Sequence, residues 1–175
     1  MKVLDSVKVL EIGGLGPGPF CAMHLADLGA DVISVVREAK DSAPTGNLLN
    51  RGKRSVFADL KSAEGKQLVL ALVKEADVLI EGMRPGVMER LGLGPAECLA
   101  INPKLVYGRM TGWGQTGPLA PRAGHDNNYA ALSGALWGCS PADARPVSSF
   151  AMVGDSGGDA LYLMTGLLAG IVSAR

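Results

Sequence analysis

The sequence predicts an α/β fold, a Rossmann-like parallel sheet with helices on both faces, followed by further helices. Three observations predict it. Five short apolar runs of strand length recur between residues 8 and 110. Stretches with helical spacing of their apolar residues alternate with them, which is the pattern of parallel strands joined by helical crossovers. The composition, 47% hydrophobic and only 5% aromatic, suits an aliphatic core between a sheet and helices. At 175 residues the chain is long enough for one such domain.

The elements follow in order. Lys8–Ile12 (KVLEI) is an apolar run that stops at Gly13-Gly14, a strand and its turn. Pro17 and Pro19 suit a helix start; Phe20, Met23, Leu25 and Leu28 keep helical spacing until Gly29 closes the segment. Asp31–Val36 is a second strand and residues 55–58 a third. A helix is expected over residues 62–76, with Ser62 as its N-cap. Val78–Glu81 is the fourth strand, residues 85–91 and 95–100 short helices, and residues 105–110 the fifth strand. Past Trp113 the alternation stops. A Gly/Pro-rich loop to Ala123 leads to a helix over residues 126–137, and a terminal helix is expected over residues 157–173.

Several function classes are excluded by bulk properties. Seventeen basic and seventeen acidic residues leave no net charge, so no electrostatic case exists for nucleic acid or an anionic membrane. Cys21, Cys98 and Cys139 are widely spaced and lack a CxxC pair, so neither a zinc site nor a disulfide framework is indicated. Buried, reduced thiols in a cytoplasmic protein are expected instead. The first residues, MKVLDSVKVLEIGG, contain acids and no uninterrupted apolar core, unlike a signal peptide. The apolar stretch at residues 160–172 falls short of the ~18 residues of a membrane span and reads as a buried helix.

Parallel sheets bind ligands beyond the carboxyl ends of their strands. There lie GGLGPGP, Arg37, ADLK, EGMRPG and RMTGWGQTGP, after strands one to five. GGLGPGP does not complete a dinucleotide fingerprint, because the frame from Gly14 reaches Pro19 and that from Gly16 reaches Cys21 where a third glycine is required. Arg37 stands where an acid would hold ribose hydroxyls; a guanidinium there suits a ribose phosphate, which NADP and CoA both carry. Further along, Gly124-His125-Asp126 and Gly154-Asp155-Ser156 each place a proton-transfer group beside glycine. Histidine titrates nearest neutrality and an aspartate can act as acid or base in a tuned site. The pair suits a reaction that needs proton-transfer groups on opposite faces of one carbon.

Five blocks in one order, VKVLEIGGLGPGPFCAMHLADLGADVISV, ADLKSAEG, ADVLIEGMRPGVMERLGLGP, LVYGRMTGWGQTGPLAPRAGHDNNY and VGDSGGDALYLMTGLLAG, resemble family III CoA-transferases, the CaiB/BaiF superfamily, and within it the α-methylacyl-CoA racemase branch. The resemblance implies that residues 1–175 form the N-terminal CoA-binding Rossmann-like domain, with the C-terminal half of the family fold absent. It implies that His125 and Asp155 exchange the α-proton of a 2-methyl-branched acyl-CoA thioester. It assigns CoA contacts to Arg37, to Ala58, Asp59, Leu60 and Lys61, to Gly82, Met83 and Arg84, and to Arg90. The Asp126 N–H, next to Gly124-His125, would meet the thioester oxygen, and Tyr129 would line the pocket. No metal and no cofactor are implied, since CoA enters as part of the substrate, and the full-length protein is expected to be a homodimer. Transferases of the family use the aspartate matched by Asp155 as a nucleophile instead; His125 favours proton transfer. Ser156 and Asp159 depart from the family pattern, which has an apolar and a small residue there. With half of the family fold absent, residues 1–175 alone are expected to be inactive, and a non-catalytic fragment that binds CoA or a partner chain is the remaining alternative.

Overall fold

In the computed structural model, which describes residues 2–37, 47–148 and 152–174, strands β1 (Lys8–Ile12), β2 (Asp31–Val36), β3 (Lys53–Phe57), β4 (Val78–Glu81) and β5 (Val106–Arg109) form one sheet. Their order is β3-β2-β1-β4-β5 and every pair is parallel. Leu10 of β1 sits opposite Ile33 of β2 and Leu79 of β4, so strand order reverses on either side of β1. That reversal opens a crevice above β1 and β4 where the crossovers leave in opposite directions.

The sheet is covered on both faces, and the strands therefore read as apolar runs rather than strict alternations. Helices α1 (Pro17–Asp27) and α7 (Leu161–Ala174) cover one face. There Val9, Val32, Val78 and Ile80 meet Cys21, Leu25, Leu167 and Ile171. Side chains two residues apart point the same way, so Leu10, Ile12, Val35 and Leu79 face the opposite side. They pack on Val69 and Val73 of α2 (Ala63–Glu75), Met88 of α3 (Val87–Arg90) and Cys98 of α4 (Pro95–Ile101). Each fully buried aliphatic side chain contributes about 1.5–3 kcal/mol. Ser62 accepts from Gly65 N at 2.9 Å, the N-cap expected of α2. Asn102 Nδ2 donates to the Val73 and Ala76 carbonyls at 3.0 and 2.7 Å, so the other end of that helix is closed as well.

One polar pair interrupts the first core. Glu11 of β1 accepts from Lys53 Nζ of β3 at 2.7 Å, with side chains only 3% and 2% exposed. Lys53 Nζ also donates to the Pro19 carbonyl at 2.9 Å, which ties the start of α1 to the edge strand.

The structure corrects several boundaries. Strand β3 begins at Lys53, two residues before the expected 55–58 and ending at Phe57, because the Lys53 ammonium is drawn into the sheet by Glu11. The first of the short helices is only Val87–Arg90, because Gly86 enters it in the left-handed region at φ 81°. The expected helix over 126–137 is two helices, α5 (Asp126–Leu132) and α6 (Ala135–Gly138). Gly134 separates them at φ 82°, a conformation that glycine adopts without steric cost. The terminal helix starts earlier than expected, through wide π-helical turns over Met152–Ala160 that run into α7. The helical stretch Gly154–Ala174 is thereby 21 residues, long and apolar enough to cross a membrane by length and composition alone. In this fold it lays Leu167 and Ile171 against the sheet. Cys21 and Cys98 are buried as expected, but Cys139 is exposed, because the short α6 lies over no core.

Candidate functional site

The carboxyl ends of the five strands make one crest, and every segment singled out from the sequence lies along it. Arg37 follows β2 and is exposed. Beside it, the Ala58 N–H donates to the Val36 carbonyl at 3.1 Å, so the 58–61 segment continues the crest from β3. Ala58 is buried and Leu60 half-buried in the second core, whereas Lys61 is exposed. The Asp59 carboxylate accepts from Lys61 N at 3.0 Å and its carbonyl accepts from Ser62, so Asp59 shapes the turn into α2. On the other side of β1, Gly82, Met83 and Arg84 follow β4. Arg90 is exposed on α3, near Gly86. Glu89 pairs with Arg109 at 2.6 Å rather than with its neighbour.

A cleft of about 160 Å³ gathers part of this set. Gly82, Met83 and Arg84 line one side; Gly124, His125 and Tyr129 line the other, and Asp159 also faces in. Arg37, residues 58–61, Arg90, Asp126 and Asp155 are not among the residues that line it. Leu15 of the GGLGPGP segment, 85% exposed, also lines it, as does Arg122, to which the sequence had given no role. Trp113 was missed too. Its Nε1 donates to the Ala123 carbonyl at 3.2 Å and its ring meets Tyr129 edge-on at 5.1 Å, which closes the Gly/Pro-rich loop against α5. An aromatic residue in the middle of a Gly-rich loop is the signal that would have found it.

His125 precedes α5, and its own N–H donates to Asn128 Oδ1 at 3.0 Å, so the start of the helix fixes its backbone. Its imidazole is 63% exposed, with Nδ1 lying 3.5 Å from Asp155 Oδ2. Asp155 is only 14% exposed and belongs to the π-helical turns before α7. The sequence led to an expectation of two groups flanking a carbon, whereas here they touch. A carbon atom reaches both only if the imidazole swings aside or presents Nε2, and side chains of proton-transfer pairs commonly settle into place only with substrate bound. Behind the pair lies Asp126, 5% exposed, whose Oδ2 accepts from Gly154 N and Asp155 N at 2.7 and 2.9 Å. Asp126 Oδ1 and Asp155 Oδ1 are buried without a hydrogen-bond partner.

Asp159 lies close to two other carboxylates. Burial first, and then Asp155 and Asp126, push the Asp159 carboxyl above its ordinary value. Burial, followed by the charges of Asp159, Asp155 and Asp126, pushes the Tyr129 phenol up to about 12. Among the described residues no three His, Cys, Asp or Glu side chains are grouped to hold a metal ion.

A second titrating group lies at the end of β4. Burial pushes the Glu81 carboxyl from 4.5 up to about 7, against the Met83 N–H, which donates to it at 2.7 Å, and Arg109, both of which favour its charge. The folded chain therefore holds this proton to higher pH than the unfolded chain does. Its stabilising contribution is complete below the unfolded value of 4.5 and is lost as pH rises to about 7. Compared with a Glu81→Gln variant, the native chain is expected to lose thermal stability steadily across that interval and no further above it. Melting curves that keep the same separation at every pH would exclude Glu81 as the titrating group.

Comparisons with known proteins converge on one family. The sequence profile of CoA-transferase family III matches residues 4–175. An alpha-methylacyl-CoA racemase of Mus musculus is 45% identical over 95% of this chain and 43% of its own length. A succinyl-CoA–D-citramalate CoA-transferase of Chloroflexus aurantiacus is 37% identical over 98% of this chain and 45% of its own. The crystal structure of a CAIB/BAIF family protein from Brucella suis superposes with a TM-score of 0.88 at 34% identity, covering 98% of this chain and 50% of that one. The chain thus spans about half the length, or less, of the relatives it matches.

Proposed function

The chain belongs to CoA-transferase family III, and from that premise we propose that it carries the proton-transfer pair of an enzyme that racemises 2-methyl-branched acyl-CoA thioesters. The observation that supports this most is the contact of His125 with Asp155, 3.5 Å apart at the edge of a cleft lined by Gly82, Met83 and Arg84. In this reading one group removes the α-proton, and the electron pair of the C–H bond moves into an enolate. Hydrogen-bond donors stabilise the enolate oxygen, the Asp126 N–H at the start of α5 being the candidate. The opposite group, protonated at the outset, delivers its proton to the other face. The enzyme then holds its proton on the first group. Contact between Nδ1 and Oδ2, once product has left, gives that proton a direct path back. CoA arrives with the substrate and its phosphates run along the crest past Arg84 and Arg90 toward Arg37, where guanidinium groups offer paired donors. Neither metal nor redox cofactor takes part in this scheme, and the whole protein acts as a homodimer.

The experiment is incubation of a single acyl-CoA enantiomer in deuterium oxide, with mass and chiral analysis of the recovered thioester. Deuterium gain at the α-carbon with loss of optical purity is expected. Unchanged α-protium and unchanged configuration would refute the reading. Transfer of CoA between acids, the activity named for the Chloroflexus relative, would appear instead as a hydroxylamine-sensitive thioester on Asp155 that survives loss of His125.

A further inference from the structure

We propose that the Asp126 side chain is a positioning residue, a buried clamp that sets Asp155 against His125. Asp126 follows His125 directly in sequence and begins α5. Its carboxylate reaches a segment 28 and 29 residues further on, where Oδ2 accepts from both Gly154 N and Asp155 N. One residue is therefore joined covalently to the first proton-transfer group and by two charge-assisted bonds to the backbone of the second. Those two amides belong to the opening turn of the π-helical segment. The first N–H groups of a helix have no partner within it, so a carboxylate there answers both an unmet donor and the positive end of the helix. The fit is close. A Cβ added at Gly154 would come within 3.1 Å of Asp126 Cα and of Oδ2, so a larger residue there would press the carboxylate aside by a few tenths of an ångström.

Energetics argue that the arrangement is not incidental. A carboxylate with one buried oxygen lacking a partner is costly, and a cheaper cap for the same two amides is a serine or asparagine. A charged group held there at that cost gives short, directional bonds and little freedom to Asp155. The role differs from that of the Asp126 backbone N–H, which faces the thioester oxygen in the reading above. The catalytic consequence of the clamp rests on that reading; the clamp itself does not.

The test uses the native chain with Asp126→Asn, which keeps an acceptor oxygen but removes the charge, and Asp126→Ala, which removes both. Amide hydrogen exchange by NMR is expected to show Gly154 and Asp155 protected in the native chain. Exchange there should be about tenfold faster in the Asn variant and ~100-fold faster in the Ala variant, with amides of β1 and β4 unchanged. In the full-length protein carrying the same substitutions, kcat for α-proton exchange should fall by about 100-fold in Asp126→Ala while KM stays within about threefold, with partial recovery in Asp126→Asn. A loss of fold alone would not split the two constants. Equal exchange at Gly154 and Asp155 in the native chain and a folded Asn variant would overturn the clamp, as would freed amides with undiminished kcat. If the full-length protein exchanges no α-proton at all, proton transfer falls as the function, and the amide data still decide the clamp.

Discussion

In the full-length racemase proposed above, His125→Ala is expected to abolish racemisation while leaving one enantiomer still able to exchange its α-proton slowly with solvent. The side chain is 63% exposed and contributes to neither core, so the fold should survive its truncation. Removal of a positioned acid or base typically costs 10²–10⁴-fold in rate, and a drop of roughly that size is expected for interconversion. The residual behaviour is the sharper part. In that proposal the two groups act on opposite faces, and each serves as base for one enantiomer only. Without His125, the enantiomer whose proton faces Asp155 can still lose it and regain deuterium from the same side, with retention. Asp155→Asn should show the mirror image, slow exchange confined to the other enantiomer through His125. Measuring deuterium uptake separately for each enantiomer in each variant checks this. Equal loss of exchange for both enantiomers in both variants would mean that the two groups act as one coupled base and not on separate faces.

Lys53→Met is expected to be the most destabilising single substitution in the sheet, at about 3–5 kcal/mol, because it strands a buried carboxylate. Glu11 and Lys53 meet at 2.7 Å with almost no solvent exposure. Methionine fills the volume of the lysine stem but leaves Glu11 without its partner and the Pro19 carbonyl without its donor. Combining Lys53→Met with Glu11→Gln should restore most of the loss, since the cost lies in the unpaired charge and not in the absence of a bond. Urea unfolding of the native chain and the three variants gives the cycle. A loss under about 1 kcal/mol in Lys53→Met would show that water reaches Glu11 and that the pair behaves as an exposed one.

The sheet was legible in the sequence because both faces are covered: KVLEI, DVISVV and VLIE are apolar enough to announce buried strands whatever lies around them. Strand β3 was harder to delimit. In KRSVF only Lys53 and Val56 are even half-buried, and the edge position leaves little hydrophobic pattern to read. The Glu11–Lys53 pair was invisible for the same reason, since periodicity gives no account of a charge that is buried because another charge 42 residues away is buried with it. For the site, the motifs led to His125 and Asp155, and the fold does bring them into contact. Missing was the side chain of Asp126, which beside a histidine reads as a helix-start acid. Only the approach of Gly154 shows where its carboxylate goes. The break at Gly134 was missed because an isolated glycine inside helical spacing is tolerated as often as it interrupts.

The division of the core between two faces bears on how the chain folds as it is made. The face packed on α2 and α4 draws on residues between Leu10 and Leu105, so it can close once β5 begins to emerge. The other face joins Leu4, Val9, Val32 and Ile80 to Ala160, Leu167 and Ile171. The part of that face that α1 leaves uncovered must therefore wait, open to the ribosome's surroundings, until α7 is synthesised. At typical elongation rates of about 5–20 residues per second that interval lasts several seconds, long compared with the microseconds in which such surfaces collapse or find one another. A nascent chain of this design offers a defined window for chaperone capture, and it ends with α7.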